Sequence, residues 1–196
     1  QLAAFSADLR ANYDLPKGFV ERIQSCPKDA APMHMLRTMV SALSMYDADP
    51  DANDLASARK KALMILAQTP AIIACFDRYR RGEKFVAPNK NLSFAANFLY
   101  MLNGKEPTPA MTRAFDVCMI LHADHGLNNS TFTARVIIST LSDMYSAITG
   151  AIGSLRGPLH GGANEEVMIM LDEIEQEAKK KGKPAAAVIE PFIMDR

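Results

Sequence analysis

Gly157-Pro158-Leu159-His160-Gly161-Gly162-Ala163-Asn164-Glu165-Glu166 sets one histidine among glycines, directly before a run in which Val167, Met170, Leu171 and Ile174 recur at helical spacing. The stretch reads as a tight turn that opens a helix, with Asn164 as N-cap and Glu165 and Glu166 as acids suited to the positive end of the helix dipole. Glycines flanking His160 allow the backbone to come close to a ligand. A neutral imidazole at a helix start can donate a hydrogen bond to a developing oxyanion, the role an enolising enzyme needs. The same pattern is also satisfied by a glycine-rich turn with an incidental histidine.

Upstream, Ser130 to Leu155 carries Ala134, Val136, Ile137, Ile138, Leu141, Met144, Ala147, Ile148, Ala151 and Ile152 on several faces. A helix apolar all round is buried in a core or against a second subunit. Gly150 and Gly153 point to close backbone packing there. Further toward the N-terminus nearly every segment reads as helix, so the expected class is all-α. Pro32 to Tyr46 holds the 3.6 period through Met33, Leu36, Met39, Val40 and Leu43, and stops at the acidic loop Asp47–Asp51. Thr69-Pro70 and Thr108-Pro109 both read as N-cap plus first-turn proline, which places a helix boundary at each. Asn91 is the expected cap of a helix that Gly104 ends. Arg78 to Asn91 lacks periodicity and reads as an exposed loop with a basic flank.

The chain has 196 residues, 48% of them hydrophobic, and its 22 basic residues balance 22 acidic ones. That is enough for one sizeable core, and it gives no global charge for nucleic acid or an anionic membrane. Three scattered cysteines, Cys26, Cys75 and Cys118, fit reduced and mostly buried thiols in a cytoplasmic protein. No basic-then-apolar leader and no membrane-length apolar run is present. The twelve methionines read as core filler. Lys179-Lys180-Lys181-Gly182-Lys183 reads as a solvated helix end.

There are four histidines: His34, His122, His125 and His160. His122 and His125 flank Asp124 at a helix end, and two histidines at that spacing invite a metal reading. No third ligand follows by motif, and contacts to the last helix carbonyls explain the pair equally, so no metal is assigned.

LHADHGLNNSTFTARV followed by SDMYSAITGAIGSLRGPLHGGANEEV resembles the citrate synthase family, in particular its shorter bacterial type. The resemblance extends through PMHMLRTMVSAL and NLSFAANFLYMLNGKEPTP. It implies that residues 1–196 are a fragment of the helical large domain with no second complete domain. It further implies that His160 polarises the acetyl-CoA thioester carbonyl, that Ser130 orients it, that His125 binds oxaloacetate and that His122 is structural. Oxaloacetate and acetyl-CoA are then the substrates, with no cofactor because the CoA thioester is itself a substrate, and a homodimer packed through Ser130–Leu155 is expected. Gly126 and His34 stand where the family usually has glutamate and aspartate. Nothing in the chain matches the family's Gly-(Phe/Tyr)-Gly-His motif, oxaloacetate-gripping arginines or catalytic aspartate, so the chain alone is expected to be catalytically silent. The rivals are 2-methylcitrate synthase, which uses propionyl-CoA, and a helical dimer scaffold that has lost catalysis.

Overall fold

The computed structural model describes residues 1–194. Among the described residues there are ten α-helices, two short 3-10 segments and no strand, the all-α class that the periodicity predicts. No helix among them is long and apolar enough to cross a membrane. The chain divides into two compact units, Gln1–Gly153 and Ser154–Arg196.

The first unit is assembled on α4 (Leu55–Arg80), a helix of 26 residues, against which α1 (Leu2–Ala11), α2 (Phe19–Gln24), α3 (Pro32–Ala42) and α5 (Phe94–Asn103) pack. Asp54 starts α4 by accepting hydrogen bonds from the Ala56 and Ser57 amides. Phe19, Ile23, Met39, Val40, Leu43, Ile72 and Phe76 form the centre of the core. Ala71 and Ala74 are small enough for α5 to seat Met101 against them. Thr69-Pro70 does not divide two helices: α4 runs through it with Pro70 in its interior. An interior proline costs about 3 kcal/mol. Ile72 and Phe76, both fully buried just beyond it, offset that cost, since each such side chain contributes roughly 1.5–3 kcal/mol. The Thr69 hydroxyl also donates to the Ile65 carbonyl at 2.7 Å in the interrupted turn.

Residues 81–91 lie outside the helices and are mostly exposed, as the loop reading expects, but Arg78 to Arg80 belong to α4 and the arginines are tied down. Arg78 is buried in the last turn of α4, where Nε donates to the Lys84 carbonyl at 2.6 Å, Nη1 to the Leu102 carbonyl at 3.2 Å, and Nη1 also pairs with Glu83 at 2.9 Å. Arg81 pairs with Asp77 and Glu83 and donates to the Leu102 carbonyl, while Arg80 donates to the Lys28 carbonyl. Linear patterning cannot show the Lys28 and Leu102 carbonyls among these partners, because they are backbone groups brought in from other segments. Ser93, not Asn91, caps α5 by accepting from the Ala96 amide, and Gly104 closes it at φ 70° as expected. Thr108 caps α6 (Pro109–Ala123) through the Met111 amide, also as expected.

Ser130 to Leu155 is two helices, α7 (Asn129–Ile138) and α8 (Met144–Leu155), and not one buried rod. The break passes through Leu141, whose φ of 64° no helix accommodates. No residue of α6 or α7 is buried, whereas α8 buries Tyr145 and Ala147. A Cβ on Gly150 would lie 2.2 Å from Ile137 Cδ1, so α7 and α8 do approach closely there, while Gly153 has only an ordinary 3.8 Å neighbour in Arg37. Of the cysteines only Cys75 is buried; Cys26 is half-buried and Cys118 exposed. Burial, with Glu21 adding to it, pushes the Cys75 thiol up to about 12.

Tyr145 donates to Asp47 Oδ2 at 2.7 Å, tying the start of α8 to the acidic loop. Burial opposes ionisation of Asp47, yet this bond, the Asp49 amide and Lys61 and Lys60 together hold its carboxyl below the usual range. A carboxylate held low in the folded state contributes stability above its unfolded pKa, and that contribution is lost as pH falls through the folded value. Tyr145→Phe is expected to cost roughly 1–2 kcal/mol near neutral pH, typical of a bond to a partly solvated charged acceptor. The difference from the parent should be smaller at acid pH than at neutral pH, since Asp47 loses its charge in both proteins as pH falls. Urea unfolding at the two pH values measures it, and an equal cost at both would contradict the assignment.

The second unit consists of the end of α8, a turn over 156–161, α9 (Gly162–Lys181), a 3-10 segment (Ala185–Ala187) and α10 (Ile189–Met194). α9 buries Ile174 and Ala178 and ends at Gly182, whose φ of 60° allows the Lys183 amide to return to the Ala178 carbonyl at 3.0 Å. Lys179 and Lys181 pair with Glu175 and Glu177 one turn back, as suits an exposed helix end.

Candidate active site

His125 lies in the turn between α6 and α7, exposed to solvent. Its amide donates to the Ala123 carbonyl at 3.0 Å, and Gly126 accepts from the Asn128 amide at 3.0 Å, so the backbone on both sides of the imidazole is fixed. Asn128 then caps α7, accepting from the Thr131 amide at 2.8 Å. This is a short, hydrogen-bonded turn that presents one imidazole ahead of a helix N-terminus, a placement suited to an anionic ligand. Ser130, in the first turn of α7, donates its hydroxyl proton to the Ala151 carbonyl of α8 at 3.0 Å. With its proton committed there, the hydroxyl can engage a second group only through its oxygen, as acceptor.

His122 stands apart from this turn. Its Nδ1 is 2.6 Å from the Cys118 carbonyl one turn back in α6, and because a carbonyl only accepts, Nδ1 carries the proton. The ring is thereby anchored to its own helix. Among the described residues no group of three or more His, Cys, Asp or Glu side chains is placed to hold a metal.

His160 belongs to the second unit and is half-buried in the turn between α8 and α9. The Gly157 carbonyl accepts from the His160 amide at 2.9 Å and the Gly161 amide at 3.0 Å, and the Gly157 amide donates to the Ser154 carbonyl at 3.0 Å. The backbone of the turn is therefore fixed by its own amide bonds. Asn164 is not the cap of α9. The helix starts two residues earlier at Gly162 with Gly161 at the cap position, and the Asn164 amide donates to the Gly161 carbonyl at 3.2 Å. The glycine closeness inferred from sequence is also directed elsewhere than expected: Gly161 approaches the protein's own Leu155 carbonyl, a contact that only the folded turn reveals.

Residues 1–195 match the family model described as citrate synthase, C-terminal domain. The chain belongs to the citrate synthase family. Within this family of transferases it is 52% identical to the citrate synthase of Deinococcus radiodurans over 176 residues, 89% of this chain and 46% of that protein. It is 45% identical to a 2-methylcitrate synthase of Mycobacterium tuberculosis over 181 residues, 92% of this chain and 46% of that protein. The solved citrate synthase of Pyrobaculum aerophilum superposes with a TM-score of 0.79 at 38% identity, covering 93% of this chain and 50% of that one. Citrate synthase from Thermoplasma acidophilum, solved as a ternary complex with carboxymethyl coenzyme A and oxaloacetate, superposes with a TM-score of 0.79 at 30% identity, covering 88% and 45%. The chain thus spans about half the length of the relatives it matches.

Proposed function

We propose that the intact natural protein is a citrate synthase that condenses acetyl-CoA with oxaloacetate. A carboxylate base takes a methyl proton from acetyl-CoA while His160 donates a hydrogen bond to the thioester oxygen, giving the hydrogen-bonded enolate. The enolate carbon attacks the ketone carbon of oxaloacetate, which His125 helps to bind, the carbonyl π bond breaks as the C–C bond forms, and the resulting alkoxide takes up a proton from water. Water then cleaves the C–S bond of citryl-CoA, releasing citrate and the CoA thiol. Ser130, whose hydroxyl donates to the Ala151 carbonyl, is the residue to which the family resemblance gives the orienting role. A thioester α-carbon is a weak acid in water, so a preorganised donor at the oxygen supplies much of the stabilisation. No cofactor is required, since the CoA thioester is consumed as substrate.

The observation that carries this reading is the His160 turn: a histidine in a turn whose backbone is fixed by its own amide bonds, directly before a helix, in a chain 52% identical to a citrate synthase. The 2-methylcitrate alternative, with propionyl-CoA as donor, is favoured by the 45% identity to the mycobacterial relative. A cytoplasmic homodimer is part of the proposal: Phe132 and Val136 of α7 are each about half exposed and suit an apolar face between copies of the chain.

CoA-thiol release with oxaloacetate, compared between acetyl-CoA and propionyl-CoA, tests the reading. Preference for acetyl-CoA with dimeric sedimentation is expected. A propionyl-CoA preference moves the assignment to 2-methylcitrate synthase, and no release from either donor leaves a helical scaffold.

A further inference from the structure

We propose that Gly161 is a positioning residue that sets where the His160 imidazole points, an inference that rests on the catalytic reading of His160. The backbone at Gly161 has φ −89° and ψ −9°, a conformation open to any residue, so conformational freedom is not what selects glycine here. Space is. A Cβ on Gly161 would lie 2.0 Å from the Leu155 carbonyl oxygen and 3.1 Å from its carbon. Both are backbone atoms at the end of α8, which cannot swing aside as a side chain would.

The turn closes onto α8 at this point because the Gly157 carbonyl takes the amides of His160 and Gly161 together. Any side chain at 161 must push the turn away from Leu155, and His160, bonded directly to it, moves as well. The neighbouring glycine provides the contrast: a Cβ on Gly162 meets nothing nearer than Pro158 Cβ at 3.9 Å. Of the two glycines after the histidine, only the first is required by geometry. A catalytic donor displaced by about 1 Å can cost on the order of 10² in rate, because its strength at the transition state depends on alignment.

The test compares Gly161→Ala, Gly162→Ala, His160→Ala and the Gly161→Ala/His160→Ala double variant in the intact protein, by CoA-thiol release and circular dichroism. Gly161→Ala is expected to keep its helical spectrum and its KM for oxaloacetate while losing about 10²-fold in kcat. Gly162→Ala should stay within about threefold of the parent. If Gly161 acts through His160, the double variant will be no slower than His160→Ala alone. Multiplicative losses, a Gly161→Ala kcat within about threefold of the parent, or loss of its helical spectrum would each overturn the proposal. Full activity in His160→Ala would instead remove the catalytic reading of that histidine, which keeps the two failures distinct.

Discussion

His160→Ala in the intact protein is expected to lower kcat for CoA release by about 10² to 10³, the usual cost of removing one preorganised donor from a developing oxyanion. KM for oxaloacetate should change little, because the residue assigned to that substrate, His125, sits in a separate turn fixed by its own amide bonds. The turn that carries His160 is closed by the Gly157, His160 and Gly161 backbones, so truncating the imidazole leaves its scaffold in place. The loss is therefore expected in the chemical step and not in folding, and His160→Gln, which restores an N–H at a different reach, should recover only part of the rate. Steady-state rates at saturating substrates, with thermal unfolding of each variant, measure both terms. A kcat within about tenfold of the parent would show that the thioester oxygen is stabilised from elsewhere.

Local chemistry made some elements legible from sequence and left others hidden, and the dividing line is physical. Thr108-Pro109 and Gly104 were readable because a hydroxyl, a ring or a positive φ acts within one turn, and each does so in the fold. Thr69-Pro70 carries the same local signal as Thr108-Pro109, yet α4 continues through it. The difference is burial on both sides of Pro70, which is a property of the assembled helices. Ser130–Leu155 misled in the opposite direction: its composition is uniform, and the break at Leu141 rests on a single left-handed residue that composition does not announce. The His160 turn was legible as a turn from its glycines, whereas His125 was legible only as lying at a helix end. The close approach of Gly161 to Leu155 was not, because the clashing atom belongs to a backbone carbonyl with no identity in the sequence.

Arg78 is the clearest case of a residue whose role only the fold exposes, and Arg78→Ala is expected to destabilise the chain by roughly 2–4 kcal/mol. Its guanidinium reaches the carbonyls of Lys84 and Leu102 and the carboxylate of Glu83, so it ties the end of α4 to the following loop and to the end of α5. Glu83 is 39% exposed and can recover water when the arginine is removed, which keeps the cost below that of a fully buried pair. Most of the loss comes from the Lys84 and Leu102 carbonyls, since Arg81 replaces only the second of them, at 2.8 Å. Gly104 takes part in the same arrangement: a Cβ there would sit 3.1 Å from Arg78 Nη1, at a φ of 70° that L-residues rarely adopt. Arg78→Lys should recover less than half of the stability, because one ammonium cannot span acceptors that a planar fork reaches from several nitrogens. Urea unfolding of both variants beside the parent measures the effect. A lysine variant as stable as the parent would mean that charge alone, and not the geometry of the fork, holds these three segments together.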